Sequence, residues 1–527
     1  MFSFNAVIGI CLAYVVVLFA VAFAAERRAR SGAGSWVRSP WVYTLSLSIY
    51  CTAWTFYGAV GYAARSGLEF VTIYLGPTLV MIGWWVILRR LVRIGREQRI
   101  TSIADLISSR FGKSNFLGVL VTVLAVVAAT PYIALQLQSV ALSLAVFAGD
   151  VANFDPAASA LWIAAGLAVF TVIFGTRSID MNERHHGVVT AIAVEAVVKL
   201  VALLAVGIFV VWVLVGGPDP MADMIATSQI DIWAMQPPRW VTLTFLSAAA
   251  FLCLPRMFQV LVVENASERQ LMTASWAFPM YLFLMSLFVV PIAVAGLAIL
   301  PEGSNPDLFV LTLPLAAGRE GLATLAFLGG FSSATSMVIV AAIALATMVS
   351  NHVVMPIWLS SNKGGAVVSG DVRGVLLVSR RISIGVILAL GYLYFRLSGG
   401  GAALAAIGLI SFAGAAQALP SLLGGIFWRG ANRQGAAAGL VIGFALWAYT
   451  LFLPSFGPGV VFSEAMMSNG PWGIGMLRPQ ALFGMSGMDP VVHAVFWSMT
   501  FNTTLFIGVS LAGFPTPLER LQGASFV

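Results

Sequence analysis

Thirteen apolar stretches, separated by short polar or basic connections, set the terms on which this 527-residue chain can fold. They fall near 5–25, 41–62, 68–94, 115–148, 157–176, 187–216, 238–263, 272–300, 320–350, 374–397, 402–428, 435–454 and 490–513. A bilayer core about 30 Å thick is crossed by roughly 20 apolar helical residues. A helix also satisfies its own backbone polar groups where no water is present to do so. The expected fold is therefore an all-α membrane protein with one transmembrane domain over 1–513. Composition agrees: 60% of the residues are hydrophobic and 9% are charged, too few to cover a water-soluble globule, so the lipid bilayer is the first partner. The run at 5–25 has no basic segment before it and no small-residue cleavage pattern, and Arg27, Arg28 and Arg30 follow it, so it is expected to stay as a first helix.

The net charge of +7 reads as topology rather than as a sign of nucleic acid. Alternating the connections places about 22 Lys and Arg on one side and about 5 on the other, with Lys199 inside a helix. The basic side is the expected cytoplasmic one, which puts the N-terminus outside and the C-terminus inside. Arg89, Arg90, Arg93, Arg96, Arg99, Arg110 and Lys113 crowd a single loop, whereas Asp150, Asp155, Asp219, Asp223, Asp231 and Asp307 lie on the opposite side. Within that basic loop, ITSIADLISSRFGK is expected to form a surface helix with Thr101 as its cap. Cys11, Cys51 and Cys253 all sit in apolar runs and suggest neither disulfides nor zinc.

A solute pathway through lipid needs exposed main chain, so helix interruptions are the first places to look. The second stretch carries Ser48, Cys51, Thr52, Thr55, Gly58 and Gly61, and the seventh carries Ser247, Cys253 and Pro255. Proline removes a donor and clashes with the preceding turn. The two stretches are five apart, the repeat length of inverted-repeat transporters, so 41–216 and 238–428 are expected to be the two repeats, with 5–25, 435–454 and 490–513 as extra helices. Tight packing at small residues and a simple proline kink remain the structural alternatives.

The ninth stretch carries GGFSSATSM, Gly329–Met337 in number, with Ser332, Ser333 and Ser336 at helical spacing. Hydroxyls beside freed carbonyls suit a hard monovalent cation; hydrogen bonding between helices is the alternative. Glu195 and Lys199 lie four apart on the sixth stretch, deep in the bilayer, where charge marks either a functional group or a buried salt bridge. Arg256, just after Pro255, is either a gate partner for Asp180, Glu183 or Glu264 or an anchor reaching for the interface. Gln136 either lines a solute site or bonds between helices. No nucleophile with a base and no metal-ligand cluster occurs, so no enzyme is expected within these residues.

In order along the chain, the broken second stretch and the Ser-Ser of the ninth resemble the sodium/solute symporter family. YCTAWTFYG, ITSIADLISSRFGKS, PYIALQLQSV, LPRMFQVLVVENAS and FSSATSMVIVAAIALATMVSN resemble more closely the symporter-like N-terminal membrane domain of bacterial hybrid sensor histidine kinases. The resemblance implies a LeuT-like inverted five-helix-repeat fold in the bacterial inner membrane. It implies a sodium ion, or a proton in its place, held by Ser48, Cys51, Gly329, Ser332 and Ser333, with no other cofactor. Glu195 falls where the family places a coupling carboxylate; Lys199 is not part of the general pattern. The implied solute lining is Thr52, Trp54, Thr55, Tyr74, Gln136 and Cys253. The polar groups of the sugar-binding branch are missing at several of these positions, which disfavours a sugar; the resemblance to the kinase-linked branch, which includes members tied to histidine and amino-acid use, implies a small solute such as an amino acid, histidine included. Residues 514–527 are expected to begin a cytoplasmic linker to kinase domains in the same chain. The alternative is a stand-alone sodium/solute symporter with no signalling role.

Overall fold

Among the described residues, nine helices are long and apolar enough to cross a membrane, and a bent pair, Pro237–Cys253 with Pro255–Val263, makes a tenth if taken as one span. The computed structural model describes residues 4–31, 35–148, 155–175, 185–228, 230, 236–361, 369–399 and 403–527. Three of the thirteen expected crossings are interrupted: 41–62, 68–94 and 238–263, the last being the bent pair. The stretch at 41–62 breaks at Cys51, and 68–94 gives way to hydrogen-bonded turns after Ile82 before resuming at Leu88. The stretch at 157–176 is one continuous helix, Pro156–Gly175.

The elements that position the site are α1 (Phe4–Arg30), α2 (Pro40–Ser46), α3 (Ala59–Ser66), α4 (Thr72–Ile82) and α5 (Asn115–Ala148). They continue with α6 (His186–Ile208), α7 (Pro237–Cys253), α8 (Pro255–Phe258), α9 (Glu268–Ser286) and α10 (Glu320–Val349). After these come α11 (Leu404–Ala416), α12 (Leu419–Phe427), α13 (Arg433–Trp447), α14 (Pro490–Ala512) and α15 (Pro517–Phe526). The inner bundle is formed by α5, α6, α10 and α11, with α1 packed on α6. The two faces of α6 show how lipid and protein divide the sequence. Val197 and Val201 are about half exposed, at 48% and 50%, while Ala196 and Lys199 on the opposite face are fully buried.

Both breaks have local causes. Between α2 and α3 the chain tightens into a 3-10 turn over Leu47–Tyr50, becomes extended at Cys51 (φ −79°, ψ 95°), and resumes as a wide π-turn over Trp54–Gly58. Between α7 and α8, Pro255 holds Leu254 extended (φ −63°, ψ 130°), and the span bends by 54°. Proline is accommodated there because it opens α8, where its missing N–H leaves no bond unmade.

The basic-loop helix Ile103–Arg110 is capped by Ser102, whose hydroxyl accepts from the Asp105 amide at 3.1 Å, rather than by Thr101. Thr101 instead donates its amide back to the Asp105 carboxylate at 2.9 Å. This helix does not simply float on the surface: Ile103, Leu106, Ile107 and Arg110 are buried against protein. Residues 514–527, expected as the start of a linker, contain α15, closed by a capping box between Thr516 and Glu519.

Candidate functional site

The break at Cys51 leaves main-chain groups unspent, and side chains from two other helices take them up. Lys199 of α6 donates from Nζ to the Ser48 carbonyl at 2.7 Å and to the Cys51 carbonyl at 2.9 Å. Gln136 of α5 accepts from the Ala53 amide at 3.1 Å. Thr52 caps the resumed helix, its hydroxyl accepting from the Trp54 amide at 3.3 Å. Such bonds are what allow irregular backbone to persist in a low-dielectric interior.

The second break meets the first across Tyr132. Its hydroxyl shares a hydrogen bond with the Thr52 hydroxyl at 2.9 Å, and the Arg256 guanidinium lies over its ring, 4.3 Å from the centroid. Around this bridge the Trp54 ring packs edge-on to Phe412 at 5.0 Å, and Tyr132 stacks on Phe412 at 5.7 Å. Tyr74 donates to the Thr55 carbonyl at 3.2 Å, and Thr55 donates to the Thr52 carbonyl at 2.9 Å. The expected lining residues Thr52, Trp54, Thr55, Tyr74 and Gln136 are thus brought into one connected cluster. Cys253 lies buried at the end of α7, one residue before the second break. Arg256 is 2% exposed and therefore not an interfacial anchor; its Nε and Nη2 are buried without a hydrogen-bond partner among the described residues. Asp180 and Glu183 lie outside the described residues.

The five residues assigned to a cation divide into two groups. Ser48 and Cys51 present their carbonyls to Lys199. On α10, Ser333 donates to the Gly329 carbonyl at 2.8 Å, and the Ser332 hydroxyl shares a 2.9 Å bond with the Tyr14 hydroxyl of α1. Gly329 is small because it must be: a Cβ there would stand 2.7 Å from both Ala202 and the Phe56 ring. Glu195, one turn before Lys199, accepts from Thr335 at 3.4 Å, and no direct ion pair joins Glu195 to Lys199 among the described residues. The four-residue spacing expected to make a salt bridge on α6 instead aims the two groups apart, the cation at the broken helix and the carboxylate at α10. With the Cys51 carbonyl bonded to Lys199 and the Ser48 carbonyl bonded to both Lys199 and the Cys51 amide, this set as it stands does not fit a sodium ion. Among the described residues, no group of three or more His, Cys, Asp or Glu side chains converges as a metal site.

No family model matches the chain. It is 25% identical over 428 residues, 77% of this chain and 80% of the other, to the uncharacterized symporter YhjB of Bacillus subtilis (strain 168). A second relative, the uncharacterized symporter YodF of the same organism, is 24% identical over 465 residues, 84% of this chain and 86% of its own. Among solved structures, a Na+-coupled sialic acid symporter in its substrate-bound outward-open state superposes with a TM-score of 0.67 at 16% identity, covering 98% of this chain and 99% of that one. The fold is shared with that symporter.

Three residues that matter here carried little sequence signal. Tyr132 sits between Pro131 and Gln136, and its four-residue spacing from Gln136 places both on one face of α5, which is the one clue to it. Tyr14 lies in a uniformly apolar first helix and had no mark beyond its hydroxyl. Thr335 was visible within the Ser-rich run, but its pairing with Glu195 depends on how α6 and α10 face each other.

Proposed function

We propose that this domain binds a small solute where its two broken helices meet and carries it, or moves as a carrier does, coupled to a cation gradient across the bacterial inner membrane. The observation that carries this reading is the Thr52–Tyr132–Arg256 bridge, which ties both breaks to one buried point. Two repeats, 41–216 and 238–428, moving against each other would open that point to one side and then the other. The likeness to two symporters along most of their length supports the same reading.

Arg256 supports an amino acid as the solute. A buried guanidinium with two free nitrogens is costly to leave uncompensated, and a carboxylate is its natural fork-shaped partner. The aromatic walls of Trp54, Tyr132 and Phe412 suit a flat side chain such as the imidazole of histidine.

In the sensor reading, occupancy passes to kinase domains in the same chain through α15. That helix is tied to the bundle: Gln522 accepts from the Gly112 amide at 2.8 Å, and Glu519 accepts from the Arg433 amide at 2.6 Å. The stand-alone symporter reading is favoured by the names of the two relatives. Hydrogen exchange across 514–527 with and without solute separates the two, since only a sensor needs protection there to change.

The transport reading is tested by uptake of labelled amino acids, histidine among them, into proteoliposomes under imposed ion gradients. Loss of a charge-assisted bond costs about 1.5–3 kcal/mol, so Arg256→Gln should weaken solute affinity by roughly tenfold to a hundredfold. Wild-type liposomes that accumulate nothing, or an Arg256→Gln protein with unchanged affinity, would reject this assignment.

A further inference from the structure

Resting on the transport reading, we propose that the Lys199 ammonium is the cation of the broken helix, a tethered ion that keeps the carbonyl position closed to sodium. A main-chain break inside lipid concentrates negative dipole where carbonyl oxygens lose their helical donors, and such a place attracts a positive charge. Here the freed oxygen is that of Cys51, and the Ser48 oxygen beside it keeps one backbone donor, the Cys51 amide at 2.8 Å; both residues are wholly buried, and both carbonyls accept from the same Nζ, at 2.7 Å for Ser48 and 2.9 Å for Cys51. These are charge-assisted distances, short for a nitrogen donor. Lys199 itself is fully buried on α6, with its stem running between helices and its head delivered to the break.

The surroundings fit a permanent cation in three ways. Glu195 lies one turn away and leaves Lys199 to the carbonyls, taking its own bond from Thr335 at 3.4 Å. The hydroxyls of α10 take no part in holding the two carbonyls: Ser333 donates to the Gly329 carbonyl, Ser336 donates to the Ser332 carbonyl, and Ser332 shares a bond with Tyr14. Tyr281 of α9 donates to the Ala196 carbonyl at 2.9 Å, anchoring the turn of α6 that carries Lys199. An ammonium and a sodium ion compete for the same two oxygens, and the ammonium is covalently held, so its effective concentration there is not diluted by the bulk. The break is cross-linked to α6 without a diffusible ion.

Purified full-length protein is assayed for equilibrium retention of sodium-22, alongside Lys199→Ala and Lys199→Arg. The wild type and Lys199→Arg should retain no saturable sodium, and their melting temperatures should not respond to sodium replacing choline. Lys199→Ala, with both carbonyls released from the ammonium and Glu195 nearby, should gain saturable sodium-22 binding and a sodium-dependent rise in melting temperature. Saturable sodium binding by the wild type overturns the proposal, as does a folded Lys199→Ala protein that gains none. Should Lys199→Ala fail to fold, the wild-type arm decides the question alone. Solute uptake by the wild type should be the same in sodium and in choline. Absence of uptake in both media sinks the transport reading, while the sodium-22 result still decides the role of Lys199.

Discussion

Tyr132 shows how much can depend on one hydroxyl and one ring. The hydroxyl meets Thr52 at the first break, and the ring lies under Arg256 at the second. Tyr132→Phe keeps the ring and removes the bond to Thr52, so it should cost about 0.5–1.5 kcal/mol of stability while leaving the cation–π contact in place. Thermal melting in detergent checks the first part, and solute affinity compared with Tyr132→Leu checks the second. Gly329 makes the opposite point, since here the absence of a side chain is what counts. A β-branched residue at this position would drive into Phe56 and Ala202, and Gly329→Val should destabilise by about 1–3 kcal/mol through overpacking between α10, α6 and the first break. Unaltered melting of Gly329→Val would mean that the three elements are not held this closely.

At the scale of elements, the two breaks differ in cause and so in their response to mutation. The second is written into the covalent chain by Pro255, and Pro255→Ala should let α7 and α8 run on as one helix, reducing the 54° bend. Such a variant is expected to fold and to lose solute binding, and a structure of Pro255→Ala with the bend unchanged would show that tertiary packing alone sustains it. The first break has no proline; it persists because Lys199 and Gln136 satisfy what it exposes. The C-terminal α15 is likewise held by side chains. Arg110 spans between elements here, donating to the Gly425 carbonyl at 2.7 Å and the Trp428 carbonyl at 3.0 Å beneath α15. Burial lowers its affinity for its proton, and Glu519 offsets only part of that. Glu519 also closes the capping box, so Glu519→Ala should cost about 0.5–2 kcal/mol locally. It should speed amide exchange through 516–527 and leave the membrane core unaffected.

For the whole molecule, the arrangement of basic residues makes a testable statement about sidedness. The crowded loop at 89–113 and the C-terminus are expected to lie together in the cytoplasm, and in the structure α15 packs against the helix Ile103–Arg110. Reporter fusions after Val527 and after Gly303 should therefore report opposite sides, the first cytoplasmic and the second external. The reverse pattern would invert every statement about which end of the site opens first. At the end where Gly303 lies, Arg239 at the start of α7 pairs with Glu69 at 2.7 Å and with Asp489, and Arg65 pairs with Asp307 at 3.0 Å. These pairs join the connections around both broken helices to α14.

By itself the sequence determined the solvent, the helical class and the two places where a span must fail, because lipid admits few backbones and because Pro255 and the small polar residues near Cys51 act locally. Thr52, Trp54, Thr55, Tyr74 and Gln136 came forward through the family resemblance, and the structure brings them together around the first break. Only the tertiary structure decided that Lys199 reaches the Ser48 and Cys51 carbonyls rather than Glu195, that Arg256 is buried over Tyr132, and that Tyr14 faces Ser332. The physical reason is distance along the chain: these partners are separated by about a hundred residues or more, and helical periodicity tells which face a residue shares but not which helix lies opposite it.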